Sequence, residues 1–344
     1  MVTWGLATIF NGLVQTAHQF YAARFFVGVA EASFFPGVII YLTHWFRLHD
    51  RSKAIASFYA AVPAASVAGS LLAGWLLEKH WLALAGWRWI FFVERIAPII
   101  LGLITIFYLP DWPHQARWLP ADERDWITAQ LQAETLAKKK IRDYTISQAF
   151  REPLVILLIL AYFCAHLGAQ ASIYWIPTFI KRLSGLPNSK VAMLVALPGL
   201  VGIAGMLLNG WHSDKTQERR WHTVVPLICA GLAYVTLSLV AHHFSVAMAL
   251  LIFGGGLMFS YYPIFWSMPT MVLSESAAAA SFGLINSIGH TGGFVGPYLV
   301  GCLNRITGES NAAFLFIGVS YLLAGSIISV IKIKNPLAAS ASPP

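Results

Sequence analysis

Repeated apolar segments of membrane-spanning length constrain this chain more than any other feature of its sequence. A helix of about 20 apolar residues crosses the roughly 30 Å hydrocarbon core of a bilayer. Hydrophobic residues make up 57% of the chain and charged residues only 11%, against roughly 25% charged in soluble domains. The segments are 2–18, 20–43, 54–77, 88–109, 154–178, 190–211, 222–241, 246–270, 279–303 and 312–332. The sequence therefore predicts an all-α polytopic membrane protein with about ten transmembrane helices.

The distribution of lysine and arginine predicts the orientation of these helices. An even number of spans places both termini on one side, and the loops on that side carry 15 basic residues against six opposite. Because cytoplasmic loops are enriched in basic residues, we expect a multi-pass protein of the cytoplasmic (inner) membrane with both termini cytoplasmic. The predicted domains are an N-terminal bundle of four spans at 1–109, a cytoplasmic loop with a surface helix at 110–153, a six-helix bundle at 154–334 and a short tail at 335–344.

Two charges interrupt the second apolar segment. Arg24 and Glu31 are seven residues apart, so on a helix they lie within about 20° of each other and roughly 10 Å apart along the axis. A charge at the bilayer centre costs about 2.5 to 3.5 kcal/mol on translocon scales, and such residues usually mark a substrate or proton site. Two alternatives stay open: Arg24 snorkels to the outer interface, or Glu31 is a permanently paired structural carboxylate.

Motifs of enzymes and cofactor-binding proteins are absent from the sequence. It has no GxSxG elbow, no GxxxxGK[ST] phosphate loop and no HExxH, and its three cysteines form no CxxC pair. We therefore expect no enzymatic activity, no cofactor and no metal. Transport by such a chain would be driven by an ion gradient, and no stripe of basic and aromatic residues suggests a nucleic-acid partner.

Several short stretches carry a more specific pattern. They are 24–32 (RFFVGVAEA), 35–37 (FPG), 45–46 (WF) with 50–51 (DR), 86–89 (GWRW) with Glu94, 108–111 (YLPD), 118–119 (WL) before 123–124 (ER), and 293–297 (GFVGP). Together they resemble the major facilitator superfamily, and more narrowly its anion:cation symporter group, which includes bacterial tartrate, phthalate, hexuronate and galactonate permeases. The resemblance implies a fold of two helical bundles. Family members usually have twelve helices, and the first span here resembles the family's third, so we expect a 4 + 6 arrangement that lacks the first two.

The resemblance also implies roles for individual residues. Arg24 matches the arginine that holds the substrate acid, and Glu31 matches the proton-coupling glutamate. Gln170 and Tyr174, in the region similar to the seventh helix, and Asn286, in the one similar to the eleventh, are expected to contact substrate. Helix packing is an open alternative for these three residues.

Two histidines lie in apolar segments. His166 and His290 could relay protons, but a hydrogen-bonded core histidine is the interpretation that the sequence favours for each. A partial second copy of a loop motif occurs at 210–215 (GWHSDK), followed by Arg219 and Arg220.

These features predict proton-coupled uptake of a small organic anion, such as tartrate, a sugar acid or an aromatic acid, by alternating access. The expected partners are the anion, H⁺ and membrane lipid, and the expected assembly is a monomer. Na⁺ is the alternative coupling ion. The rival hypothesis is a non-transporting truncated product, or a membrane solute sensor, of the same fold.

Overall fold

A computed structural model describes residues 1–32, 34–47, 54, 57–59, 61–138, 153–216, 218–272 and 275–331. These residues form helices joined by short connections, and no strand occurs among them, which confirms the all-α fold class. The helices are α1 (Val2–Leu13), α2 (Ala17–Glu31), α3 (Phe34–Trp45), α4 (Ala61–Leu76), α5 (Gly86–Tyr108), α6 (Ala121–Lys138), α7 (Pro153–Ser184), α8 (Asn188–Leu194), α9 (Ala196–Thr216), α10 (Arg220–Val240), α11 (Phe244–Ser260), α12 (Tyr262–Val272), α13 (Glu275–Thr307) and α14 (Asn311–Val330). The predicted tail at 335–344 and the end of the predicted loop at 110–153 lie outside the described residues.

Seven helical segments within the described part of the chain are long and apolar enough to cross a bilayer. They are Ser57–Leu76, Gly86–Tyr108, Pro153–Ser184, Asn188–Thr216, Arg220–Val240, Phe244–Pro269 and Asn311–Val330. The count of ten stays a prediction: α1, α2 and α3 have 12, 15 and 12 residues, each too short to span alone. Helix α13 has 33 residues, but its glycines and polar side chains reduce its hydropathy.

Contacts between residues divide the chain into two compact units. Unit 1 comprises 1–59, 68–140 and 188–193, and unit 2 comprises 60–67, 141–187 and 194–344. The division into domains made from the sequence stays a prediction.

In unit 1, α1 packs against α5 through small residues. A Cβ atom at Gly5 would lie 2.6 Å from Ile99 Cγ1, and one at Gly12 would lie 2.6 Å from Phe92 Cε1, so a larger residue at either position would force the neighbouring side chain to move. From the first contact to the second, the residue number rises by seven on α1 and falls by seven on α5. The two helices are therefore antiparallel. The Arg88 guanidinium donates a hydrogen bond to the Gly12 carbonyl at 2.6 Å. Close backbone approach of this kind is the usual source of helix association in a membrane, where lipid supplies no hydrophobic driving force.

Aromatic residues join the surface helix α6 and the turn before it to the end of α3. The indole rings of Trp45 and Trp118 stack with centroids 5.9 Å apart, and the Arg47 guanidinium lies 5.0 Å from the ring centroid of Trp126. Acidic residues in the first turn of α6 complement the positive end of the helix dipole.

In unit 2, two helix pairs are held by glycines. On α10 and α14, a Cβ at Gly231 would lie 2.9 Å from the Gly318 carbonyl oxygen, and one at Gly318 would lie 2.8 Å from that of Gly231. On α7 and α13, a Cβ at Gly292 would lie 2.5 Å from the Phe163 carbonyl oxygen, and one at Gly301 would lie 3.3 Å from the Trp175 ring. Residue numbers rise together along α7 and α13, so these two helices are parallel.

Gly231→Ala should destabilise unit 2, because the added methyl group meets the Gly318 carbonyl and the Leu322 side chain. Overpacking costs typically 1 to 3 kcal/mol, so we expect a lower thermal midpoint in detergent. The matched control is Gly210→Ala, since nothing lies within 4 Å of a Cβ at that helical position. Equal midpoints for the two variants would contradict the packing described for α10 and α14.

Candidate functional site

Arg24 and Glu31 lie on one side of α2, two turns apart. The helix begins with a capping box, in which the Gln19 N–H donates to Thr16 Oγ1 at 3.3 Å and the Thr16 N–H donates to Gln19 Oε1 at 3.2 Å. Helical bonding continues to Ala32, whose N–H donates to the Gly28 carbonyl at 3.0 Å. The chain between the two charges is therefore helical throughout, as the seven-residue spacing requires.

The guanidinium of Arg24 rests on aromatic rings rather than on a carboxylate. Its Cζ atom lies 5.1 Å from the ring centroid of Phe20, one turn earlier, and 5.8 Å from that of Phe91 on α5. Ring faces hold a guanidinium by cation–π attraction but accept none of its in-plane N–H bonds. Among the described residues Arg24 makes no hydrogen bond or ion pair, so its donor fork is available to an anion.

Glu31 is also exposed and also has no hydrogen bond or ion pair within the described ranges. Arg24 and Glu31 therefore share one side of α2 without neutralising each other by direct contact. The described residues contain no partner that would make Glu31 a permanently paired structural carboxylate.

In unit 2, five side chains from three helices form a polar cluster. It consists of Tyr162, His166, Gln170, Tyr262 and His290. His166 Nδ1 lies 3.1 Å from the Tyr262 hydroxyl, and His166 Nε2 lies 3.3 Å from Gln170 Nε2. The Tyr162 hydroxyl lies 3.3 Å from that of Tyr262 and 3.4 Å from His290 Nε2. The ring centroids of His166 and His290 are 4.3 Å apart.

Helix spacing and glycine account for this assembly. Tyr162, His166 and Gln170 are four residues apart on α7 and so share one face. Helix α13 approaches this face closely, because a Cβ at Gly293 would lie only 3.0 Å from the His166 ring. The Trp175 indole N–H donates to the Pro297 carbonyl at 3.1 Å, and this hydrogen bond holds α7 against α13 about one turn beyond Gln170.

Tyr174 and Asn286 flank the polar cluster and make no hydrogen bond to it within the described residues. Tyr174 lies one turn beyond Gln170 on α7 and is 61% exposed. Asn286 lies one turn before His290 on α13, and its Oδ1 is buried with no hydrogen-bond partner in the part of unit 2 that the structure describes. Of the three residues expected to contact substrate in this unit, only Gln170 joins the cluster directly.

The sequence analysis did not identify Tyr162 or Tyr262 as members of this cluster. The four-residue spacing of Tyr162, His166 and Gln170 was a signal that could have identified the face on α7. No sequence signal placed Tyr262, which is 96 residues from its partner His166.

The connection between α9 and α10 is held by charges and hydrogen bonds. The Glu218 carboxylate accepts from the backbone N–H of Trp221 at 2.8 Å and from Nδ1 of His222, also at 2.8 Å. Arg219 Nη1 lies 2.5 Å from Asp214 Oδ1. Partial burial raises the pKa of Glu218, but the N–H donors of Trp221 and His222 outweigh it, so the net pKa is below the usual range.

Comparison with known proteins places these features in a family. The family described as "Major Facilitator Superfamily" matches residues 1–297. A protein of Agrobacterium vitis named "Putative tartrate transporter" is 42% identical over 331 residues, which cover 95% of this chain and 74% of that protein. "Inner membrane transport protein RhmT" of Escherichia coli K12 is 31% identical over 97% of this chain and 77% of that protein.

Solved structures show the same fold at low sequence identity. The crystal structure of a D-xylose-proton symporter aligns with a TM-score of 0.73 at 13% identity, covering 97% of this chain and 80% of that one. A bacterial homolog of the human lysosomal transporter Spinster, inward-facing and unoccupied, aligns with a TM-score of 0.66 at 18% identity, covering 96% of this chain and 79% of that one.

Glu218→Gln should destabilise the chain at neutral pH, because the carboxylate caps the first N–H groups of α10. A lost cap costs about 1 kcal/mol. The pKa of Glu218 is lower in the folded protein than in the unfolded chain, where it is about 4.3. The ionised carboxylate therefore stabilises the fold at pH values above the unfolded-state pKa, and this stabilisation is lost as the pH falls through the folded-state pKa.

Thermal midpoints in detergent, measured from pH 7 to below pH 4, check this expectation. The gap between parent and Glu218→Gln should narrow in the acidic part of the range, whereas Glu78→Gln, in an exposed connection, should show no gap at any pH. A gap that stays constant through the acidic range would contradict the role of the ionised carboxylate.

Proposed function

The chain belongs to the major facilitator superfamily and is a transport protein rather than an enzyme, and from this premise we propose that it imports a small organic anion with protons by alternating access. The proposed location is the bacterial inner membrane, with both termini cytoplasmic. Two relatives from Agrobacterium vitis carry tartrate in their names, and one from Escherichia coli carries inner membrane in its name, which supports the substrate class and the location.

The observation that carries this proposal is the state of Arg24. A guanidinium held on two phenyl rings, with no protein carboxylate among the described residues, is suited to receive a carboxylate from solution. Arginine binds carboxylate through two parallel N–H bonds, which replace the water that the anion loses when it enters a membrane protein.

Glu31 supplies the proposed coupling. Glu31 lies roughly 10 Å along the same helix from Arg24 and on the same side. A substrate anion bound to Arg24 brings negative charge to that side of the helix, and a proton carried by Glu31 offsets it. Anion and proton would then load together, which is the requirement for symport.

Hydrogen-bonding groups in unit 2 support a hydroxylated acid as substrate. Gln170, Tyr174 and Asn286 offer amide and phenol groups on neighbouring turns of α7 and α13, and the Asn286 Oδ1 lacks a partner among the described residues. A site built to bond hydroxyl groups discriminates strongly against analogues that lack them. We therefore propose tartrate or a sugar acid ahead of an aromatic acid.

Glu31→Gln should abolish uphill uptake into proteoliposomes while leaving exchange of labelled for unlabelled anion measurable, because a neutral amide cannot release a proton but still permits the bundles to move. Uptake driven by an inward proton gradient and counterflow without a gradient are the two measurements. Glu78→Gln is the control for removing a carboxylate elsewhere. Undiminished accumulation by Glu31→Gln would refute the coupling role.

Arg24→Ala should weaken binding of the transported anion by about 10- to 100-fold, the usual loss for a hydrogen-bonded charge. Arg24→Lys keeps the charge but loses the bidentate fork, so an intermediate loss is expected. A binding titration with purified protein measures both, with Arg305→Ala as the control at an exposed arginine. Unchanged affinity in Arg24→Ala would favour snorkelling, and binding without any uptake by the parent would favour the solute-sensor alternative.

A further inference from the structure

We propose that the polar cluster in unit 2 is a second proton-binding site, in which His166 and His290 hold one proton between them and exchange it through the hydroxyl groups of Tyr262 and Tyr162. This inference goes beyond the proposed function, which assigns proton binding to Glu31 in unit 1. It rests on the connectivity of the polar cluster and does not depend on the identity of the transported solute.

The polar cluster is a continuous chain of hydrogen-bonding atoms. It runs from Gln170 through His166 to the Tyr262 hydroxyl at 3.1 Å, then to the Tyr162 hydroxyl at 3.3 Å and to His290 Nε2 at 3.4 Å. Each intermediate group is a hydroxyl, which both donates and accepts. Such a chain connects the two imidazoles by hydrogen bonds although their rings meet edge to face.

Donor and acceptor roles along this chain are mutually consistent. When the Gln170 amide N–H donates to His166 Nε2, the proton of the neutral imidazole is on Nδ1, from which it donates to Tyr262. Tyr262 then donates to Tyr162, and Tyr162 donates to His290 Nε2. Every donor in the chain thus has an acceptor, and no two donors face each other.

Transfer of one proton balances at every step. A cationic His166 donates its Nδ1 proton to Tyr262, Tyr262 passes its own hydroxyl proton to Tyr162, and Tyr162 passes its hydroxyl proton to His290 Nε2. Both hydroxyls end neutral, His166 keeps one proton on Nε2, and His290 carries the positive charge. The Gln170 amide turns its oxygen toward the protonated Nε2, so its orientation follows the position of the charge.

The pair holds one proton rather than two because its rings are 4.3 Å apart. Two imidazolium cations at that separation repel each other, and no carboxylate contacts either ring among the described residues. The titratable groups that face the polar cluster from the packed elements are phenols. They are Tyr261, whose ring centroid lies 5.0 Å from that of Tyr262, Tyr262 itself on α12, and Tyr321 on α14, whose ring meets α7 at Gly168.

The two imidazoles of the chain differ in their access to solvent. His166 is 2% exposed, whereas His290 is on the open side of α13. A proton therefore enters at His290 and reaches the buried imidazole through the two tyrosines. This asymmetry makes Tyr162 and Tyr262 positioning residues whose hydroxyl groups, and not their rings, matter.

Nitrogen NMR of ¹⁵N-histidine-labelled full-length protein in lipid nanodiscs tests this proposal without any transport assay. The signals of the two residues are assigned by their loss in His166→Gln and in His290→Gln. In the parent, the signals of both imidazoles should shift together as the pH is lowered from 8 to 4, with a combined uptake of one proton.

Tyr262→Phe and Tyr162→Phe interrupt the chain at different hydroxyl groups but keep both rings. The proton should then no longer exchange between the two imidazoles through the chain, so their signals should titrate separately instead of together. Tyr298→Phe, at an exposed tyrosine of α13, is the control and should titrate like the parent. The proposal is overturned if the parent pair binds two protons in this range or none, or if both tyrosine variants titrate like the parent.

Discussion

The hydrocarbon core of a membrane offers no hydrogen bonds, and every charged or polar side chain inside the described helices must be understood against that constraint. It explains why the guanidinium of Arg24 rests on the rings of Phe20 and Phe91. These rings attract the positive charge by cation–π interaction and leave the guanidinium N–H groups able to donate hydrogen bonds elsewhere. The same constraint explains why Tyr162, His166 and Tyr262 bond to one another, since a buried polar group that is not hydrogen-bonded costs free energy. Polar groups that retain free bonding capacity here, such as the Asn286 Oδ1, are therefore the groups best suited to meet a polar solute.

Glycine makes these contacts possible. Close approach at Gly292 and Gly293 brings α13 against α7 and places His290 beside His166, and the glycines at 5 and 12 bring α1 against α5 in unit 1. Larger residues at these positions would separate the helices by a side-chain layer, and the hydrogen bonds of the polar cluster would lengthen beyond bonding distance. Packing and chemistry in this chain thus depend on the same small residues, and a variant that disturbs one is expected to disturb the other.

Sequence reasoning recovered the helical class and the relation between Arg24 and Glu31, because apolar run length and helical periodicity are local properties that one chain segment determines alone. It recovered the family because short motifs such as RFFVGVAEA are specific in combination. The polar cluster could not be recovered in full, since Tyr262 and His290 reach α7 only through tertiary packing across about 100 residues of chain. The cap formed by Glu218 was also missed, because the basic and acidic residues at 214–220 could form ion pairs in several combinations. In the structure the Glu218 carboxylate instead accepts from the backbone N–H groups of Trp221 and His222, which the sequence does not indicate.

The central claim is that the anion and the proton move together. The most direct measurement uses proteoliposomes that contain the full chain and a pH-sensitive dye in the lumen, with equal pH on both sides at the start. Addition of tartrate or a related hydroxylated dicarboxylate outside should acidify the lumen, because each anion that enters carries protons with it, and a protonophore should abolish the signal. Entry of the labelled anion with no change in lumenal pH, and with dependence on Na⁺ instead, would contradict this account.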